Sequence, residues 1–182
     1  MLCFLSDAYR EHNPQYEYFR GEKVPCFESV ERLDNIVAAL QTREHECVSP
    51  QADASSVIAK IHDPAYVSFI THAWQEWLAL DEKNHELQPF PSVWPTRTLR
   101  DDIVPDNFIA KLGLYSMDNG TPLAAGTWRA AKSGADAAVS AANYLLAGHS
   151  SVFSASRPPG HHAGRDFMGG YCFLNNAALA AQ

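Results

Sequence analysis

The chain predicts an α/β fold built on a parallel sheet, and three observations lead to that expectation. Short apolar runs of strand length alternate with longer segments of helical period. Their order, strand then helix and later helix, strand, loop and helix, is the grammar of a parallel sheet covered by helices. A glycine-rich stretch, Arg157 to Gly170, follows the last candidate strand, at the kind of strand end where parallel sheets gather their ligands.

Leu2 to Leu5 reads as a short buried strand. Glu28 to Leu40 places Val30, Leu33, Val37 and Leu40 on one helical face. A second helix runs from Ala65 to Leu80 and opens at Asp63-Pro64, where proline suits the first turn. Its aromatic residues Tyr66, Phe69, Trp74 and Trp77, with Ile70, read as core. Residues 81–125 lack sustained periodicity and hold five prolines among Phe90, Trp94, Phe108 and Tyr115, so they are expected to form a long ordered arm that packs on something. Gly126 to Gly148 is an alanine-rich helix with a stripe of Trp128, Ala131, Ala135, Ala138, Ala142 and Leu145. Ser151 to Ser156 is a compact strand candidate, the next fourteen residues are loop, and helix resumes near Leu174.

Composition narrows the function. With 182 residues, 46% of them apolar and 19% charged, the chain has enough material for one sizeable core. A net charge of −7, with lysine and arginine scattered singly, argues against nucleic acid and anionic membrane surfaces and suits a small cationic partner. Four cysteines without a CxxC pair indicate neither a zinc knuckle nor a disulfide framework, so reduced cytoplasmic thiols are the simplest expectation. No stretch approaches the length of a membrane span, and Met1 to Ser6 is too short for a signal sequence.

Chemistry concentrates in Arg157-Pro158-Pro159-Gly160-His161-His162-Ala163-Gly164, followed by Gly169-Gly170-Tyr171-Cys172-Phe173. Two adjacent imidazoles, whose ordinary pKa lies near neutral pH, suit proton transfer to and from a reacting water and a leaving amine. In one pocket they would titrate as a pair, one neutral and acting as base while the other stabilises developing charge. Pro158 and Pro159 stiffen the approach, the glycines allow close backbone contacts, and Tyr171 and Phe173 can wall a narrow site. A bare His-His pair is more often a surface turn; the full string favours a site. A Cys172–His162 nucleophile pair is the competing chemistry, although a buried wall cysteine is commoner than a reactive one.

The string Arg157 to Gly164, with Gly169 to Phe173 and Asn175-Asn176, resembles the active-site segment of the histone deacetylase superfamily, nearest to the acetylpolyamine amidohydrolases. The resemblance runs back through Gly126-Thr127-Trp128, the Pro105 arm, His62-Asp63-Pro64-Ala65-Tyr66 and Val24-Pro25-Cys26-Phe27-Glu28, and so covers nearly the whole chain. It implies a three-layer, parallel-sheet arginase/deacetylase-like fold, incomplete at the C-terminus, with residues 1–182 forming the N-terminal part of a single domain. It also implies a zinc hydrolase that releases acetate from an acetylated amine. By position, His162 matches the general base and acid, and His161 its electrostatic partner. Gly170 matches a residue whose carbonyl meets the substrate amide, Tyr171 an aromatic of the substrate tunnel, and Cys172 follows it in the wall.

The sequence also departs from that pattern. The Asp-x-His pair, the later Asp and the oxyanion-clamping Tyr of the superfamily are not among these residues, so no metal ligand is expected within the chain and zinc ligands are expected beyond residue 182. The last helix ends among apolar residues without a capping Gly or Asn, which suggests truncation, and a truncated chain would be inactive alone. In polyamine-specific relatives the arm builds a dimer and presents acidic side chains at positions matching Ile109 and Gly120 here. Asp118, Asp106, Asp101 or Asp102 are the candidate replacements, with Asp118 placed in the substrate site. A homodimer through residues 81–125 is expected. Arg32 matches a basic position near the acetate exit of relatives, although a helix arginine facing solvent is the commoner case. The alternative function is a non-catalytic remnant that acts as an interaction or dimerisation module.

Overall fold

The computed structural model describes residues 1–96 and 102–182. In chain order it contains β1 (Leu2–Phe4), a 3-10 turn (Asp7–Glu11), the antiparallel hairpin of β2 (Glu17–Phe19) and β3 (Glu22–Val24), α1 (Val30–Thr42) and β4 (Glu46–Val48). Next come α2 (Ser55–Ile61), α3 (Pro64–Leu80), a second 3-10 turn (Glu82–Glu86) and α4 (Phe108–Leu114). The chain closes with α5 (Thr127–Leu146), β5 (Val152–Ser154) and α6 (Asn176–Ala181).

The sheet runs β4-β1-β5, and both pairings are parallel. Side chains alternate across a strand, so β1 serves two cores at once. Cys3 packs with Leu33 and with the α1 residues Val30, Val37 and Leu40 on one face. Leu2 and Phe4 pack with Ala137, Ala141 and Tyr144 of α5 on the other. Helix, sheet and helix therefore form the three layers that the sequence predicts. The largest cluster lies beyond the sheet, where Tyr66, Phe69 and Ile70 of α3 meet Phe108 and Leu112 of α4 and Met168, Phe173 and Leu174 of the glycine-rich region.

Local chemistry explains the helix limits. The Asp63 carboxylate accepts from the backbone N–H groups of Ala65 and Tyr66, with Pro64 in the first turn of α3. Asn175 caps α6 through the N–H of Ala178. Small residues let α5 lie close to its neighbours: a Cβ on Gly134 would come 3.0 Å from the Cβ of Ser156. The buried face of α5 includes Ala131, Ala135 and Ala138 of the predicted stripe, together with Ala130, Ala137 and Ala141. Leu145 departs from that stripe. It is 44% exposed and borders an apolar groove beside β5, because the sheet ends there and no further strand covers it among the described residues.

The arm is more structured than its sequence suggests. Asn107 caps α4 by accepting from Ala110 N–H, and Leu112 is fully buried. A seven-residue helix spans only two turns, too few to show a period, and Pro105 lies just ahead of it. Near its start the arm is anchored by two contacts: Phe90 meets Tyr16 and Tyr18 with ring centroids 5.5 and 4.9 Å apart, and Trp77 Nε1 donates to Leu87 O at 3.1 Å. Among the described residues no helix is long and apolar enough to cross a membrane.

His12 ties acid stability to this fold. It is 2% exposed, and its Nδ1 lies 2.9 Å from Thr127 Oγ1. Burial, and then the Arg157 charge, push its pKa down to about 3. In the unfolded chain histidine titrates near pH 6.5. Between about pH 6.5 and pH 3 the unfolded chain therefore binds a proton that the folded chain refuses, and stability falls as pH falls through that window, at up to about 1.4 kcal/mol per pH unit. We expect His12→Asn to flatten this dependence when unfolding midpoints are measured at a series of pH values; equal slopes for the two proteins would exclude His12 as its source.

Candidate active site

The glycine-rich loop is anchored at its start by a buried cation. Arg157 is 2% exposed; its Nε donates to Glu28 Oε1 at 2.9 Å and its Nη2 to Glu28 O at 3.2 Å. Its Nη1 donates to Tyr9 O at 3.0 Å and also to His12 O. One guanidinium thus joins the loop after β5 to the turn after β1 and to the segment before α1. Burial raises the Glu28 carboxyl pKa, and Arg157 opposes that rise.

Further along, the loop is bound to the junction of α2 and α3 and to the start of α6. The Asn175 amide donates to Ala163 O at 3.0 Å. His62 is fully buried, with Nδ1 3.3 Å from Arg165 O and Nε2 accepting from Asn175 N–H at 3.1 Å. One ring nitrogen donates while the other accepts, which describes a neutral imidazole, and burial lowers the His62 pKa accordingly. A Cβ on Gly160 would meet Leu174 O at 2.6 Å, so only glycine fits where the loop crosses the start of α6.

His161 and His162 follow, both exposed, with ring centroids 4.3 Å apart and planes inclined at 48°. They share a cleft of about 290 Å³ with Phe27, Glu28, Arg32, Pro159, Gly170 and Tyr171. Four sequence-predicted residues, His161, His162, Gly170 and Tyr171, therefore come together. Arg32 also borders this cleft while remaining on an exposed helix surface.

Two carboxylates hold the opposite wall. Gly170 has φ +53°, and a Cβ there would lie 2.5 Å from Cδ2 of His162, so the ring packs directly against this glycine. The Gly170 N–H donates to Asp118 Oδ2 at 2.6 Å. Asp118 Oδ1 accepts from Gly120 N–H and from the Thr121 hydroxyl, each at 2.9 Å, and Thr121 Oγ1 accepts from Tyr171 N–H at 3.0 Å. Tyr171 has φ +66°, a conformation costly for an aromatic residue unless its surroundings over-determine it. Its hydroxyl donates to Glu17 Oε1 at 2.9 Å, and Glu17 Oε2 accepts from Phe27 N–H at 3.0 Å. Burial, and then this bond to Glu17, raise the phenol pKa, so the ring remains a neutral donor.

Asp118 and Cys172 are not part of the cleft lining; both sit against Gly170. The Cys172 thiol is fully buried and points to Gly170 O at 3.4 Å. Burial pushes its pKa up, which disfavours the thiolate a nucleophile needs and fits a packing role. Of the other arm carboxylates, Asp102 and Asp106 are exposed, and Asp101 lies outside the described residues. Ile109 packs on the core, and Gly120 serves only the Asp118 turn. Sequence reasoning gave no role to Arg157, Glu28 or Glu17. The first two lie in quoted motifs, but no local pattern links residues so far apart in the chain, and Glu17 sits on a hairpin strand of three residues.

A catalytic metal takes about three protein ligands. No group of three His, Cys, Asp or Glu side chains that could hold one is present among the described residues, so this chain's own residues do not fit a resident zinc ion.

Comparison with known proteins gives this geometry its context. Residues 26–182 match the histone deacetylase domain. Acetylpolyamine amidohydrolase 2 of Pseudomonas aeruginosa is 44% identical over 183 residues, and the Mycoplana ramosa acetylpolyamine amidohydrolase is 37% identical over 183 residues. Each alignment takes in all of this chain and 52% of the relative, so the chain spans about half the length of these curated relatives. The crystal structure of an acetylpolyamine aminohydrolase from Burkholderia pseudomallei superposes with a TM-score of 0.91 at 31% identity, covering 100% of this chain and 52% of that one. The HDA15 HD domain, at 19% identity and a TM-score of 0.69 over 99% of this chain and 42% of that one, shares the fold. The matched residues include Glu28, the Arg157 loop and the paired imidazoles, and the chain belongs to the histone deacetylase domain family.

Proposed function

We propose that the protein carrying this chain is an amide hydrolase that removes acetyl groups from N-acetylated amines, either an acetylpolyamine or an acetyl-lysine-like substrate. The observation that supports it most is the pair of imidazoles beside Gly170 and Tyr171 in one cleft, within a chain that is similar along its whole length to acetylpolyamine amidohydrolases. The reading includes zinc, held by ligands outside these 182 residues; such an ion supplies positive charge to the substrate carbonyl.

This chain's residues handle the proton and the substrate. His162 takes a proton from the attacking water and returns it to the departing amine. His161, 4.3 Å away, stabilises the charge that develops. The Gly170 carbonyl receives the substrate N–H, while Tyr171 and Phe27, both in the cleft lining, flank the acyl chain. Asp118 serves the substrate at one remove. Its carboxylate already accepts from Gly170, Gly120 and Thr121, so it sets where the Gly170 carbonyl stands. The net charge of −7 favours a cationic amine at longer range. Free thiols at all four cysteines suit the reducing cytoplasm. Val93, Trp94, Ile103 and Val104, all more than 40% exposed on the arm, favour a homodimer formed through it.

Three outcomes test this reading in the full-length, zinc-loaded protein. His162→Ala should lower acetate release from an N-acetylated diamine about 10²–10⁴-fold; an unchanged rate would remove His162 from the role of base. Asp118→Asn should lower kcat/KM about tenfold, equally for a cationic substrate and an uncharged acetylated amide, since it displaces Gly170. A loss confined to the cationic substrate would instead put Asp118 in direct contact with it. Trp94→Asp should weaken self-association in sedimentation experiments, and an unaltered dimer would move the interface elsewhere.

A further inference from the structure

The register of the sheet sets Cys3 directly opposite Cys47. Adjacent strands lie about 4.7–4.9 Å apart, within the Cα separation of roughly 4.4–6.8 Å that a disulfide spans. Paired residues of parallel strands point to the same face, and these two side chains join one apolar cluster with Tyr9, Leu33 and Val37. Their accessibility differs. Cys3 is fully buried on the central strand, whereas Cys47 is half-buried on the edge strand β4. Cys26 and Cys172 donate to backbone carbonyls, those of Pro14 and Gly170, each at 3.4 Å, and Cys3 donates to Phe4 O at the longer distance of 3.8 Å.

We infer that Cys3 and Cys47 form a site of reversible oxidation, at which hydrogen peroxide produces a disulfide across the β1–β4 pair. The accessible Cys47 sulfur attacks the peroxide O–O bond, taking one oxygen as a sulfenic acid while the other leaves as water. The Cys3 thiol gives up its proton and its sulfur attacks the Cys47 sulfur. The S–O bond breaks, and the hydroxide leaves with that proton as a second water. The two sulfurs lose two electrons and one peroxide gains them; a dithiol reductant reverses the change. Burial, and then the neighbouring Cys47 thiol, push the Cys3 pKa up to about 12, which disfavours its thiolate and leaves Cys47 as the thiol that meets the peroxide first. The bridged segment carries Glu17, Phe27, Glu28 and Arg32, which hold or line the cleft, so oxidation tethers one wall of the site. Cytoplasmic disulfides of this reversible kind are the redox-sensing ones.

The test is peptide mapping of the full protein after hydrogen peroxide treatment and alkylation under denaturing conditions. A cross-linked peptide joining Cys3 to Cys47, lost on treatment with dithiothreitol, is expected, with Tm raised by about 5–10 °C. Cys47→Ser, a change at a half-buried edge position, should abolish both effects, and in Cys3→Ala a sulfenic-acid trap should label Cys47. Cys47 over-oxidised to sulfinic acid while Cys3 remains alkylatable would overturn the inference. So would a bridge to Cys26, to Cys172 or to a second molecule. Should Cys3→Ala fail to fold, the peptide map of the unmutated protein decides alone.

Discussion

The structure around the cleft depends on the buried guanidinium of Arg157. It binds the Glu28 carboxylate and three backbone carbonyls, those of Tyr9, His12 and Glu28, at the point where three separate stretches of chain converge. A buried charge that loses its counter-ion costs on the order of 3–5 kcal/mol, so the pair commits the loop after β5 to a single position. Two residues beyond it the loop reaches Pro159, and then the two imidazoles. The paired rings are therefore placed by an ion pair that does not itself act on protons.

A second set of constraints meets the first across the cleft. Asp118 and Glu17 lie on different parts of the chain, yet their carboxylates hold consecutive residues, Gly170 through its N–H and Tyr171 through its hydroxyl. Both residues adopt positive φ, and the packing of His162 on Gly170 leaves no room for a side chain there. Strain of this kind at Tyr171 persists only where neighbouring groups over-determine it, and here three hydrogen bonds and one ring contact hold the two residues. The acidic residues nearest the cleft are thus engaged as acceptors that shape it.

Much of the fold was legible in the sequence because it is local. The strand Leu2–Phe4, the proline-started helix α3, the alanine-rich α5 and the glycine-rich loop each announce themselves through period, capping residues or composition over a short window. The short elements do not. The strand Glu46–Val48 and the hairpin have three residues per strand, and α2 and α4 have seven each, lengths at which alternation and helical period cannot be told from chance. The burial of α5 widens beyond its heptad stripe because both the sheet and α6 pack on it, a fact that its own spacing does not contain.

By itself the sequence determined the parallel α/β class, the family and the identity of the paired imidazoles, since each depends on residue types held at fixed spacing. Only the tertiary structure decided that Asp118 bonds to Gly170, that Arg157 and Glu28 are one buried pair, that Tyr171 leans on Glu17, and that Cys3 faces Cys47. The physical reason is common to all four. Hydrogen bonds, ion pairs and strand register act between groups a few ångströms apart in space, here brought together from distant parts of the chain, and no local pattern of residues encodes that meeting.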